Sequence, residues 1–337
     1  MKLYSSCFRD QEAASAIRSL SKTSEVSPYD GREAFCVELE EFADALSEFF
    51  SIFEASEAGV SLASLLQEDW DLFNTELPKY EVFLASLLAE LGCAFNVETK
   101  VAYISEIEEC VGVWDKLKKT LVHERRFILK DGEYPGDSEW DNFLQPNRQL
   151  RSGEFLYRAR VNEECPNTTY SPDEMSCPPA EKTPGGRANS AGIPVLYLCK
   201  DPVTAAYEVR SLHHDAITIG MFQVKEGETL NIVDFTKTPS VFNGLDFLQE
   251  AKRCLLMHRI SKDLSKPMRR YSRKTEYVPT QYICEFIRYV IGADAIQFAS
   301  SLKAGGINLV VFDSDKMECV GTQLYLVSDY QLGIRLI

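Results

Sequence analysis

The hydrophobic rhythm of the chain changes near residue 150. Before that point apolar residues recur at three- to four-residue steps. Phe35, Leu39, Phe42, Leu46, Phe49 and Phe50 mark one amphipathic helix. Similar spacing predicts helices over 60–73, 80–91 and 101–121. Gly31, Gly59 and Gly92 fall where such helices would stop. Few segments alternate with period two, so residues 1–130 are expected to form a helical bundle. Residues 131–150 are polar and turn-rich, and read as a linker with Trp140 and Phe143 as packing points.

After the linker the pattern shortens. Strands are predicted at 155–161, 195–199, 216–224, 229–233, 295–298, 307–312 and 323–327. Helices are predicted at 202–210, 245–259 and 279–291. Between the first two strands runs a Pro/Gly/Ser-rich loop, 166–192, with Pro178, Pro179, Pro184, Gly185 and Gly186. A loop that long inside a domain usually carries function or disorder. Residues 151–337 therefore read as an α+β domain with a largely β core. No internal repeat is visible.

Composition sharpens this division. The chain has 337 residues and is 45% hydrophobic, enough for two cores. Its net charge of −15 is one-sided. Residues 1–150 hold 29 acidic and 14 basic side chains, and the remainder holds 22 of each. An acidic first domain repels nucleic acid, so nucleic acid is not an expected partner. No apolar run is long enough for a bilayer, and the first twenty residues lack the apolar centre of a signal peptide. The reading is a soluble cytoplasmic protein with no membrane contact. The ten cysteines form no C-x-x-C pair and read as reduced, mostly buried thiols. Their spacing supports no metal site.

Candidate chemistry concentrates in GGRANSAGIPVLYLCKDPVTAAYEVR, residues 185–210. Asp201-Pro202 is a helix start, with the carboxylate placed for free N–H groups. Glu208 lies later on that helix, with small neighbours at Thr204 and Ala205. Gly185-Gly186-Arg187 can bring backbone and a guanidinium to an anion. Taken singly, Glu208 reads as a solvated helix residue and Arg187 as an exposed loop arginine. Tyr197 alone reads as a core ring with a satisfied hydroxyl. The later run FASSLKAGGINLVVF, residues 298–312, adds Ser300 and Asn308.

Taken together, these residues resemble the RES domain, named for its Arg, Glu and Ser. The resemblance spans roughly residues 151–325. It rests on LYRAR at 156–160, on the 185–210 run, on VPTQYICEFIRY at 278–289 and on FASSLKAGGINLVVF. The N-terminal region resembles the helical HEPN-type segment of longer family members. The resemblance implies an ADP-ribosyltransferase-like fold and chemistry on NAD+ as substrate, without a metal. RES proteins include toxins that destroy NAD. The catalytic residues it implies are Glu208, Arg158 and Ser300, with Arg160 as an alternative arginine. The NAD-binding residues it implies are Arg158, Tyr197, Arg187, Ser300 and Asn308. Ala299 departs from the proline often found before the serine.

The implied activity is cleavage of the nicotinamide–ribose bond, by hydrolysis or phosphorolysis, in a toxin or defence effector. Alternatives are ADP-ribosyl transfer to a protein or nucleic acid, and a non-catalytic NAD-binding module. A separate antitoxin or regulatory protein is an expected partner through the acidic N-terminal part, and the oligomeric state stays open. His123 is the only histidine in residues 1–150 and no arginine shortly precedes it. RNA cleavage by that region is therefore not expected.

Overall fold

A computed structural model describes residues 1–130, 139–163, 167–237, 239–244, 246–267 and 274–329. The chain divides into two compact units, Met1–Lys116 with Thr238–Arg259, and Leu117–Lys237 with Ile260–Ile337.

The first unit corrects the expectation of a HEPN-type helical bundle. It interleaves strands β1 (Lys2–Tyr4), β2 (Ser24–Val26), β3 (Glu33–Glu38), β4 (Phe53–Ser61) and β5 (Lys100–Tyr103) with helices. The helices are α1 (Gln11–Leu20), α2 (Ala43–Phe50), α3 (Leu62–Asp69), α4 (Tyr80–Glu90) and the start of α5 (Ser105–His123). β3 pairs antiparallel with β1 and β2, and β4 pairs antiparallel with β5. A helical count places Phe35 in the core. In β3 the alternation wins instead: Ala34 and Cys36 are buried and Phe35 is 45% exposed. Gly59 is no helix stop but a strand residue, where any side chain would collide with the Val101 carbonyl. The core gathers around Phe49, whose ring meets Trp70 edge-on at 5.0 Å.

The second unit is mixed α/β, built on one eight-stranded sheet. Its strands are β6 (Arg148–Arg151), β7 (Leu156–Val161), β8 (Leu196–Cys199), β9 (Ala216–Val224), β10 (Thr229–Asp234), β11 (Ala295–Ala299), β12 (Ile307–Val311) and β13 (Met317–Leu326). They lie in the order β13-β9-β7-β8-β12-β11-β10-β6. Neighbours pair antiparallel except the parallel pair β10–β11. Described helices are α6 (Glu139–Phe143), α7 (Pro202–Glu208), α8 (Phe247–Leu264) and α9 (Val278–Phe286), α8 continuing from the first unit's residues.

Several boundaries differ from expectation. Within the expected linker, Trp140 and Phe143 are buried and Arg148–Arg151 forms edge strand β6; residues 131–138 lie outside the described residues. The strand expected at 323–327 begins at Met317, because β13 pairs along the whole of β9 around an irregularity between Cys319 and Gly321. The predicted helix start at Leu245 also lies outside the described residues, as does Cys165. The other nine cysteines are free thiols.

Two features of the sheet position the candidate residues. β7 and β8 share one paired position, Tyr157 opposite Cys199, so the sheet opens beyond it. On one side of β7, Tyr157, Ala159 and Val161 pack with Ala205, Ala206 and Val209 of the α7 region. Leu156, Arg158 and Arg160 alternate with them and leave the strand on the other side, toward Met175.

Candidate active site

The short helix α7 sets the position of the carboxylate. Asp201 Oδ1 accepts the Thr204 N–H at 2.8 Å and Oδ2 accepts the Thr204 hydroxyl at 2.6 Å. Pro202 occupies the first turn, where its missing N–H costs nothing. Ala205 fits against the sheet because it is small. Glu208 ends the helix. The Arg210 N–H bonds Tyr207 O at 2.9 Å and the Ser211 N–H bonds Ala206 O at 3.3 Å, a Schellman close. Its left-handed residue is Arg210, at φ 54°. Glycine is the usual occupant there, and a side chain costs about 1 kcal/mol.

Glu208 is held from two strands' ends. Its Oε1 accepts the Ser300 hydroxyl at 2.7 Å and the Asn308 amide at 2.8 Å. Ser300 follows β11, and Asn308 sits on β12 opposite Phe298 of β11 and Cys199 of β8. Among the described residues no donor reaches Oε2. The Cys199 thiol donates to Asn308 Oδ1 at 3.4 Å and so fixes which way the amide points. Burial pushes that thiol up, which keeps it a neutral donor.

Ser300 is fully committed. Its Oγ accepts the Leu302 and Lys303 N–H groups, each at 3.1 Å, and gives its proton to Glu208. The NAD-binding role that the resemblance implies for Ser300 has no free proton behind it, because the hydroxyl already donates to Glu208. It holds the carboxylate instead. Ser300→Ala is expected to lower kcat about tenfold with KM nearly unchanged, since Asn308 still holds Oε1. Steady-state kinetics would read this, and an unchanged kcat would remove the holding role.

Tyr197 stands on β8 with its ring in the cavity wall and its hydroxyl in the glycine loop. The hydroxyl donates to Asn189 Oδ1 at 2.8 Å and accepts the Ala188 N–H at 3.0 Å. Burial pushes the phenol up, so it stays protonated. Asn189 Nδ2 spans Pro184 O, Ser190 O and Ile193 O at 3.0 to 3.1 Å. Gln281 on α9 donates to Gly186 O at 2.7 Å and Asn189 O at 2.9 Å. Gly186 allows this closure: a Cβ there would lie 2.5 Å from Tyr197 Oη and 2.9 Å from Asn189 Oδ1. Gly186→Val is expected to cost about 1–3 kcal/mol and lower Tm by several degrees. A thermal melt matching the parent would show that the loop yields freely.

The arginines divide sharply. Arg187 Nη1 donates to Leu264 O at 3.1 Å and Asp263 O at 3.4 Å, and Nη2 donates to Lys266 O and to Ser301 Oγ. It caps the end of α8 and lies 5.7 Å from the centre of the Tyr277 ring. Burial pulls its pKa down against the opposing pull of Tyr277 and Glu208. Arg158 borders the cavity, but its guanidinium bonds Ser176 O at 2.9 Å on the side of β7 away from α7. No contact joins it to Glu208 among the described residues. Burial, then the nearby Arg160, pull its pKa down. Arg160 lies 4.0 Å over the Tyr170 ring and bonds Glu174 O, outside the cavity wall.

The resulting cavity measures about 460 Å³. Tyr197, Glu208 and Asn308 line it with Arg187 and Arg210, and Arg158 at its border. Ser300 stands behind Glu208, and Ser301 takes its place in the wall. Sequence reading missed Asn189, Gln281, Tyr277 and Arg210. Asn189 lay within the 185–210 run, and Gln281 within VPTQYICEFIRY at 278–289. Arg210 closes the 185–210 run, and Tyr277 stands just before the 278–289 motif. Among the described residues no group of three or more metal-ligating side chains is present, and no helix is long and apolar enough to cross a membrane.

The mixed α/β second unit thus holds a small-ligand cavity beside a glycine loop, with a braced carboxylate in its wall. The chain belongs to the RES domain family, whose model matches residues 155–329. Among solved structures it is similar to a chain of the M. tuberculosis MbcT–MbcA toxin–antitoxin complex. That similarity has 14% identity and a TM-score of 0.34, and covers 56% of this chain and 93% of that one. No curated protein matches the chain.

Proposed function

We propose that the chain cleaves the nicotinamide–ribose bond of NAD+. The observation that carries this reading is the Glu208 carboxylate, held at Oε1 by Ser300 and Asn308 with Oε2 facing no described donor. Cleavage leaves the bonding pair on the nicotinamide nitrogen and positive charge on the ribose. A fixed carboxylate stabilises that charge without reorganising as it develops. The flat Tyr197 ring, locked by two hydrogen bonds, offers a face to the cationic nicotinamide. Family membership supports NAD+ as the substrate class, since RES proteins include toxins that destroy NAD. Water or phosphate then adds at the ribose carbon; with water, one proton is released to solvent. A toxin or defence effector is the biological role that fits loss of NAD+. The acidic N-terminal unit is the surface through which an antitoxin or regulatory protein would act.

The test is incubation of the purified full chain with NAD+ in buffers with and without phosphate. Free nicotinamide with ADP-ribose identifies hydrolysis, and a phosphate-dependent ADP-ribose phosphate identifies phosphorolysis. Nicotinamide release with ADP-ribose found only on protein would replace this reading by transfer. Intact NAD+ would end it.

A further inference from the structure

We propose that Arg210 is the guanidinium that grips the diphosphate of the substrate. The nature of that ligand rests on the NAD+ reading above. Three observations converge on this residue.

The first is its backbone. Arg210 holds the left-handed position of the Schellman close at φ 54°, a place suited to glycine. Only Arg210 and His214 among the described non-glycine residues have positive φ. Backbone strain of this kind persists where surrounding structure imposes it, and it concentrates at ligand sites.

The second is its side chain. Arg210 is exposed and lines the cavity two residues beyond Glu208. Among the described residues its guanidinium has no hydrogen bond and no ion pair. An arginine held without a partner beside a cavity has all its donors available to an anion.

The third is elimination among the other arginines. Both Nη groups of Arg187 are spent on backbone carbonyls and Ser301. The Arg158 guanidinium is anchored on the far side of β7, and Arg160 is stacked on Tyr170. A diphosphate entering on the α7 side therefore meets Arg210 as the available fork. Two parallel N–H bonds to phosphate oxygens match guanidinium geometry, which an ammonium does not reproduce.

The fold itself supplies a clean test, because glycine suits the αL position better than arginine. Arg210→Gly is expected to keep or raise Tm while removing the fork. The probe is ADP, titrated calorimetrically into the full chain. The parent is expected to bind ADP, Arg210→Gly to bind at least tenfold more weakly, and Arg210→Lys to fall between. With NAD+, Arg210→Gly is expected to raise KM at least tenfold and leave kcat within threefold. Turnover of nicotinamide riboside, which carries no phosphate, should not change. Equal ADP affinity in parent and Arg210→Gly would overturn the proposal, and so would a parent that binds no ADP. A parent that binds ADP through Arg210 yet leaves NAD+ intact would keep the grip and sink the reaction. A parent that consumes NAD+ with Arg210→Gly unchanged would do the reverse.

Discussion

Glu208→Gln is expected to lower NAD+ turnover by about 100- to 1000-fold, the cost of removing one preorganised charge from a developing cation. The substitution keeps the size of the side chain and at least one acceptor oxygen. Ser300 can still donate to that oxygen, and the 2.7 Å contact survives. The Asn308 amide, at 2.8 Å, would meet either the same oxygen or a clashing NH2 group. The loss should therefore appear in kcat with little change in KM, and Tm should stay within a few degrees of the parent. Rapid-quench assays of nicotinamide release read the rate, and calorimetric melting reads the fold. A Glu208→Gln variant that keeps parent kcat would show that the carboxylate charge does no chemistry.

Arg187→Ala is expected to cost at least about 3 kcal/mol of stability and to lower Tm by about 6–12 °C. The reason lies in its partners. The guanidinium satisfies Asp263 O, Leu264 O and Lys266 O at the end of α8, groups that a helix cannot pair within itself. It also ties Ser301, in the loop that carries Ser300, to that helix end. Removing it takes the side-chain donor from Leu264 O and Lys266 O and leaves Asp263 O with the 3.5 Å bond from the Lys266 N–H. Arg187→Lys should recover little, since three donors on one nitrogen cannot span the same fork. A substrate-clamping arginine behaves differently: its loss raises KM and leaves Tm alone. Thermal melts and KM measured on the same variant separate the two. Unchanged Tm with a raised KM would return Arg187 to the binding role expected from sequence.

What sequence could convey differed by residue. Glu208, Tyr197 and Asn308 were legible as neighbours in one cavity wall, because each lies within a short motif whose strand or helix forms locally. The 185–210 run folds nearly as read: loop, β8, Asp201 cap, α7. Ser300 was legible as a site residue but its task was not, since only the folded loop shows its oxygen saturated by the Leu302 and Lys303 N–H groups. Arg158 falls on the expected strand, yet which side of a sheet a residue leaves depends on the packing of Ala159 under α7. Arg210 stood at the end of the 185–210 run, but its place in the cavity was not legible because a left-handed arginine has no compositional mark. In residues 1–130 the apolar spacing fitted two periods. Phe35 and Leu39 matched a helix, while Ala34, Cys36 and Phe35 matched a strand. Long-range pairing of β3 with β1 and β2 decided between them. Such pairing lies beyond any local count.

The most direct measurement of the central claim is a time course of NAD+ with purified parent and Glu208→Gln, followed by proton NMR. The parent should release nicotinamide in step with NAD+ loss, and Glu208→Gln should release almost none over the same period. NAD+ that stays intact with the parent, or nicotinamide that appears equally fast with both proteins, would contradict the account.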